Sequence, residues 1–285
     1  MKFTYIAPQS IDEVLDILSK EKGKAALLAG GTDLLLSVKD GDKQPDYIVD
    51  LKALRQFNQI NDSSGRLRIG ALTTVRDIEK SSLIGNKYPF LQQAAASLGS
   101  VQIRNLATIG GNIFNASPCA DLALPLLALD ATLTLQKSRA SRKVSINSFF
   151  VDNGVSCAAA DEVLLDIETE EKAGKGIFIK HSKRRAMDIS VVGVCIRLEF
   201  SSDGKVADAR IALGSVAPIP MRAIEAEESL TGELLNEKTI AESARIASDE
   251  AKPITDARAS AWYRKDMVNA LVRRGLTILK NGSGR

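Results

Sequence analysis

Ala29-Gly30-Gly31-Thr32-Asp33-Leu34-Leu35 follows the short apolar run Ala25-Ala26-Leu27-Leu28, and Thr108-Ile109-Gly110-Gly111-Asn112-Ile113 presents a second glycine pair further along the chain. Four apolar residues that stop at two glycines read as a buried strand delivering a glycine turn. Glycine pairs permit positive φ and let backbone amides converge into a concave nest, with no Cβ to hold an anion away. That arrangement suits a pyrophosphate. The Thr32 hydroxyl can donate to a phosphate oxygen, whereas Asp33 has the wrong charge for phosphate and takes a capping or ribose role. A lone Gly-Gly is ordinarily only a tight turn. Two pairs, each beside Thr and an Asn or Asp, favour a ligand site. Neither is a G-x-G-x-x-G opening a helix or a G-x-x-x-x-G-K-[ST] loop, which disfavours a Rossmann domain and a P-loop nucleotide hydrolase.

Outward from the first turn, Ser10 and Glu13 form a capping box, with Ile11, Val14, Leu15 and Leu18 on one face. The spacing predicts a helix over about residues 10–21. Strands are expected at Tyr47–Leu51, Leu67–Ile69, Ala131–Leu135 and Val163–Ile167, and helices at Val75–Lys80, Phe90–Leu98 and Leu122–Leu129. The uneven alternation indicates an α+β fold rather than a regular βαβ series. Glu171-Lys172-Ala173-Gly174-Lys175-Gly176 has the charge and glycine content of a linker. It divides the chain into residues 1–172 and 173–285. Beyond it, Ile177–His181, Ser190–Glu199 and Val206–Leu213 read as consecutive strands, and two helices follow, so a small sheet backed by helices is expected. The tail Asn281-Gly282-Ser283-Gly284-Arg285 is expected to fray.

With 285 residues, 45% apolar and 26% charged, the composition is that of an ordinary globular protein large enough for two domains. Lys and Arg total 38 against 35 Asp and Glu, and the net charge of +3 with 5% aromatics lacks the dense basic stripe of a nucleic-acid binder. No stretch approaches the ~18 apolar residues of a membrane-spanning helix. Met1-Lys2-Phe3-Thr4-Tyr5-Ile6 leads into a strand-like run without a signal-peptide pattern, so the protein is expected to stay in the cytoplasm. Cys119, Cys157 and Cys195 are isolated, with no C-x-x-C pair for zinc or an iron–sulfur cluster, and read as buried apolar residues. His181 is the single histidine, so a His-rich metal site and a Ser-His-Asp hydrolase are poorly supported. Redox chemistry would have to come from an organic cofactor.

The two glycine motifs together resemble the FAD-binding subunits of the xanthine dehydrogenase and carbon monoxide dehydrogenase family. The resemblance continues through Asn115-Ala116-Ser117-Pro118-Cys119-Ala120-Asp121-Leu122, Lys180-His181-Ser182-Lys183-Arg184-Arg185-Ala186-Met187-Asp188, Leu213-Gly214-Ser215-Val216-Ala217-Pro218 and Pro253-Ile254-Thr255-Asp256-Ala257-Arg258, with Tyr263-Arg264 beyond. It covers almost the whole chain. It implies a two-part FAD-binding domain of the vanillyl-alcohol-oxidase (PCMH) type, then a smaller C-terminal α+β domain of these flavoproteins. It further implies that Leu28, Ala29, Gly30, Gly31, Thr32, Asp33 and Leu34 on one side, and Thr108, Ile109, Gly110, Gly111 and Asn112 on the other, wrap the FAD pyrophosphate. Asp121 matches the acid that holds the FAD ribose, and Lys180 a lysine beside the flavin, where a cation stabilises negative charge on the reduced N1–C2=O edge. Leu98 and Leu164 match positions that pack the flavin ring or the adenine.

The function implied by the resemblance is electron transfer within a molybdenum hydroxylase, a dimer of heterotrimers. A large partner subunit with a molybdenum cofactor hydroxylates a heterocycle, aldehyde or similar molecule. Electrons cross [2Fe–2S] clusters on a small partner subunit to this FAD, and leave to NAD, oxygen, a quinone or another carrier. Met187 stands about where xanthine dehydrogenases carry an acid near the NAD site, which weakens the case for NAD. Arg184 and Arg185 could guide an anionic acceptor or pair with carboxylates at a subunit contact. Two alternatives keep the FAD site: a self-contained FAD oxidase or reductase with a His or Tyr base beside the flavin, and a non-catalytic assembly module.

Overall fold

The computed structural model describes residues 2–138, 140–172 and 174–282. The chain opens with strand β1 (Thr4–Ile6), helix α1 (Ile11–Lys20), strand β2 (Ala25–Leu28), helix α2 (Leu34–Asp40) and strand β3 (Tyr47–Asp50). The strands pair in parallel in the order β1-β3-β2, so α1 and α2 are the crossovers that parallel pairing requires. Ser10 Oγ accepts from Glu13 N at 3.2 Å, but the Glu13 carboxylate accepts from Gln9 N at 3.0 Å, so only half of the expected capping box forms. Val14, Leu15 and Leu18 of α1 close a small core with Val49, Leu51, Leu54, Val163 and Leu165.

A five-stranded antiparallel sheet follows, ordered β4-β5-β10-β6-β7. Its strands are β4 (Ile60–Ser63), β5 (Arg66–Gly70), β6 (Thr132–Lys137), β7 (Ala140–Ser145) and β10 (Val163–Glu170), with a separate hairpin of β8 (Phe150–Asp152) and β9 (Val155–Ser156). Between β5 and β6 run the helices α3 (Val75–Lys80), α4 (Ser82–Lys87), α5 (Pro89–Ser97), α6 (Val101–Leu106), α7 (Ile109–Phe114) and α8 (Ala123–Ala128). A bulge between Leu164 and Asp166 shifts the register of β10. Val163 and Leu165 pack into the N-terminal core while Leu164 faces the main core, and Ile167 beyond the bulge joins Leu164. The two faces of one strand thus serve two cores, and the extra residue moves Ile167 from the face that strict alternation would give it to the other.

The last part is a four-stranded antiparallel sheet of β11 (Lys175–His181), β12 (Val192–Phe200), β13 (Val206–Gly214) and β14 (Met221–Arg222), in chain order. Helices α9 (Ile224–Glu228), α10 (Glu237–Glu250) and α11 (Ala261–Lys280) complete it. Phe178, Cys195 and Ala212 are cross-strand neighbours, and all three enter the main core, whereas Ile177, Ile179, Val194, Ile196 and Ile211 pack with α10 and α11. Period-two alternation therefore places this sheet between two cores.

The segment read as a linker is short and tied down where it is described. Glu171 N donates to Gly65 O at 2.7 Å, its carboxylate pairs with Lys87 at 2.9 Å, and Lys172 lies 3.7 Å from Asp130. Its charges serve ion pairs, which composition could not separate from solvation. Ala173 of that segment, and Ser283, Gly284 and Arg285 of the tail expected to fray, lie outside the described residues. Among the described residues no helix is long and apolar enough to cross a membrane.

Candidate functional site

A cavity of about 1500 Å³ separates the two glycine segments from the loop between β11 and β12, which exceeds the ~300–1,000 Å³ of ordinary small-ligand sites. Each binding residue expected from sequence lines it except Leu28 and Ile109. Those two side chains are buried, at 5% and 0% exposure.

The first glycine segment is an amide nest. Among the described residues, the backbone N–H groups of Gly30, Gly31, Thr32, Asp33 and Leu34 find no acceptor within the chain. Gly31 adopts φ +74°, the left-handed conformation that turns successive amides to one side. A Cβ on Gly30 would lie 2.2 Å from Leu106 O, so only glycine lets the turn pass beneath the end of α6. Asp33 does not cap α2 with its side chain, because its backbone is helical (φ −104°, ψ −46°) rather than extended as side-chain capping requires. Its carboxylate instead accepts from Asn115 Nδ2 at 3.0 Å.

The second segment departs from expectation. It is the start of α7, not a glycine turn, and neither Gly110 nor Gly111 has positive φ. Its amides are already used: Ile109 N donates to Thr73 O at 3.0 Å, Gly110 N to Ala71 O at 2.9 Å and Asn112 N to Thr108 O at 3.0 Å. Gly111 N donates to the capping Thr108 Oγ1 at 3.1 Å. No second amide nest exists here. Gly110 is required because a Cβ would sit 2.5 Å from Ala71 O, so the residue permits close packing of α7 against the turn after β5. What this segment offers the cavity is its surface and the Asn112 side chain, whose buried Oδ1 has no partner in the chain.

Asp121 and Lys180, assigned separately in the sequence, form one unit. Lys180 Nζ lies 2.7 Å from Asp121 Oδ2 and also donates to Ser97 O at 3.3 Å. Asp121 Oδ1 accepts from Ser190 Oγ at 2.7 Å. Burial pushes the Asp121 carboxyl above the usual carboxylate range, while Lys180 and the Ser190 hydroxyl pull it back. A carboxylate offers about four acceptor directions, so two remain for a ligand hydroxyl. Leu164 is buried and Leu98 partly buried, both packing on the main core beside the cavity.

A smaller cavity of about 540 Å³ adjoins the first, and Lys180, Arg184 and Asp188 line both. Arg184 is folded back, with Nη2 donating to Met187 O at 2.7 Å. His181 lines only the smaller cavity, and its Nε2 is 3.0 Å from Tyr263 Oη. Residues to which sequence reading gave no role also build the walls: Asn115 beside Asp33, and Arg264, which donates to Val191 O, Ser215 O and Asp256, while Ser190 supports Asp121 without lining the cavity. Asn115 and Arg264 fall within motifs visible in the sequence, but nothing local announced their long-range partners. Of the cysteines, Cys195 is buried, and burial raises its thiol pKa, whereas Cys119 and Cys157 are only half-buried. Cys119 lies in the cavity wall rather than in the core. Among the described residues no cluster of three or more His, Cys, Asp or Glu could hold a metal ion.

The residues fit FAD: residues with consecutive free amides line a cavity of about 1500 Å³, and Gly30 among them has no space for a side chain. Residues 1–169 match the FAD binding domain in molybdopterin dehydrogenase, and residues 177–279 the CO dehydrogenase flavoprotein C-terminal domain. The glyceraldehyde dehydrogenase medium chain of Sulfolobus acidocaldarius is 32% identical over 96% of this chain and 96% of its own length. The xanthine dehydrogenase FAD-binding subunit of Escherichia coli is 32% identical over 95% of this chain and 94% of its own. The fold superposes on a chain of carbon monoxide dehydrogenase from Hydrogenophaga pseudoflava with a TM-score of 0.95 at 29% identity, covering 98% of this chain and 97% of that one. Motifs, fold and cavity converge: the chain belongs to the family of FAD-binding medium subunits of xanthine and carbon monoxide dehydrogenase-type molybdenum hydroxylases.

Proposed function

We propose that this subunit accepts electrons from iron–sulfur clusters on a small partner subunit and hands them to a further acceptor. The electrons originate at a molybdenum cofactor on a large partner subunit, where an aldehyde, heterocycle or similar molecule is hydroxylated with water. The observation that carries the reading is the run of unpaired amides from Gly30 to Leu34 at a cavity that the Lys180–Asp121 pair also lines. The amides and Thr32 hold the pyrophosphate, and the side chains of Thr108 and Asn112 flank it. Asp121 keeps acceptor capacity for a ribose hydroxyl. Lys180 presents its ammonium to the flavin edge, and Leu98 and Leu164 pack against the ring systems. Bound FAD supplies the junction between one-electron carriers and a two-electron acceptor.

The chain divides, on this reading, at residues 172 and 173 into an FAD-binding domain and a C-terminal domain. The separate family matches on either side support that division. The acceptor is NAD, oxygen, a quinone or another carrier.

A self-contained oxidase would need a His or Tyr base beside the flavin. His181 and Tyr263 bond to each other, and neither lines the large cavity. The test compares the isolated, FAD-loaded chain with the complex isolated by co-expression with its molybdenum and iron–sulfur partner subunits. An aldehyde or heterocycle that the complex hydroxylates should bleach the flavin absorbance anaerobically in the complex and leave it unchanged in the isolated chain. Bleaching of the isolated chain by substrate would instead favour the self-contained oxidase, and a flavin that never bleaches in an active complex would favour the assembly module.

A further inference from the structure

We infer that Ser190 is a positioning residue for electron transfer: its hydroxyl fixes Asp121, and Asp121 fixes the Lys180 ammonium at the cavity wall. The inference deepens the proposed role of Lys180 beside the flavin and rests on that reading.

Three separate parts of the chain meet in this relay. Asp121 lies just before α8, Lys180 is the penultimate residue of β11, and Ser190 lies just before β12 on the returning leg of the loop that carries Arg184, Met187 and Ile189. Ser190 is 2% exposed and Asp121 6%. A buried carboxylate is costly unless its oxygens are satisfied, and here one oxygen takes an ammonium and the other a hydroxyl. Lys180 is held on its far side by Ser97 O at the end of α5. An ammonium on a flexible four-carbon stem is therefore held at one place.

The geometry has an electrostatic consequence. Lys180 and Asp121 form a neutral pair in the cavity wall, and the Ser190 hydrogen bond helps keep Asp121 ionised. Without the hydroxyl, the buried carboxylate takes a proton more readily, and the positive charge of Lys180 loses its compensation. Reduced flavin carries negative charge, so a less compensated cation favours reduction. Ser190 thereby acts on the cofactor without touching it. Its place on the loop also couples the loop position to the charge at the flavin.

Two measurements on Ser190→Ala, Asp121→Asn and Lys180→Met test the inference. In the FAD-loaded protein, redox titration should place the flavin midpoint potentials in the order Asp121→Asn, Ser190→Ala, wild type, Lys180→Met, from highest to lowest. For Asp121→Asn we expect at least a tenfold shift of the two-electron equilibrium, ~30 mV, with a smaller shift of the same sign for Ser190→Ala. In the FAD-free protein, acylation of Lys180 by acetic anhydride, mapped by mass spectrometry, should accelerate severalfold in Ser190→Ala and more in Asp121→Asn. If Ser190→Ala matches wild type in both measurements while Lys180→Met lowers the potential, Ser190 has no positioning role. If Lys180→Met leaves the potential unchanged, the placement of Lys180 beside the flavin fails, and this inference with it.

Discussion

Asn115 Nδ2 donates to Asp33 Oδ2 across 3.0 Å, tying the residue after α7 to a residue of the amide nest. The bond clamps two walls of the cavity that are distant in sequence, and its direction leaves the Asp33 amide free for a ligand. Asn115→Ala should leave the fold intact and open the clamp. The bond is exposed, so although its acceptor is charged its loss is worth about 1 kcal/mol, the value of an ordinary hydrogen bond, or roughly fivefold in affinity. Titrating FAD into the FAD-free variant should show that weakening. Unchanged affinity would mean that the clamp does not shape the pyrophosphate site.

The glycines are not equivalent, although the sequence pairs them. A Cβ on Gly30 or Gly110 meets backbone at 2.2 or 2.5 Å, whereas one on Gly111 meets only Thr108 Oγ1 at 3.0 Å. Backbone cannot yield as a side chain does, so Gly30→Ala and Gly110→Ala should each cost about 1–3 kcal/mol and release FAD. Gly111→Ala should retain more FAD than either. Gly23, at φ +74° with open space around it, should accept Asn, which tolerates that conformation. Flavin content and melting temperature of the four variants decide the ranking, and a Gly111 variant as damaged as Gly30→Ala would contradict it.

Asp130 gathers charge from both sides of the molecule. It accepts from Arg222 Nη1 at 2.9 Å, Arg210 Nε at 3.2 Å and Asn147 Nδ2 at 3.2 Å. Burial would raise its carboxyl pKa, but Arg222, Asn147 and Arg210 outweigh that and hold it below the usual range. A folded pKa below the unfolded one means stability present above about pH 4 and lost as pH falls through the lower folded value. Asp130→Asn keeps a residue that tolerates the observed φ of +51° and removes the charge. We expect a loss of about 2 kcal/mol at neutral pH, moderated because Arg222 retains Glu227. Urea unfolding of both FAD-free proteins should show the gap narrowing below about pH 4. A gap constant with pH would assign the effect to packing.

Much of this architecture is legible in the amino-acid order, and the reason is periodicity. Strand β2 ends at Leu28 where the apolar run stops, and α3 spans Val75–Lys80 as its spacing predicts. Helices α2, α4 and α6 escape such reading. Leu35 and Leu36 of α2, and Val101, Ile103 and Leu106 of α6, are exposed, so their apolar residues trace no single buried face. Strands β7, β8 and β9 are too short or too polar to alternate visibly. At the site, glycine composition pointed to two segments that line one cavity, but their amides could not be told apart. Whether an N–H is free depends on Thr73 O and Ala71 O, which the fold brings to the second segment and not to the first. Ser190 was silent for the same reason: a serine ahead of a strand has no local feature that marks a partner sixty-nine residues away.

Arg264 anchors the stretch between α10 and α11 that closes one side of the cavity. Its guanidinium donates to Val191 O at 2.6 Å, Ser215 O at 2.9 Å and Asp256 Oδ1 at 2.7 Å, a fork that only arginine provides. Ile254, Asp256 and Arg258 of that stretch line the cavity. Arg264→Lys keeps the charge but cannot reach all three acceptors, so the stretch should loosen while both sheets persist. Trypsin reports this directly, because Arg258 is held by Asp256 in the wild type. Cleavage after Arg258 should be at least tenfold faster in Arg264→Lys, and added FAD should slow it by rebuilding the wall. Equal cleavage rates in the two proteins would show that the stretch is held by its own turn, in which Arg258 N and Ala259 N donate to Asp256 Oδ1, and would remove Arg264 from the architecture of the site.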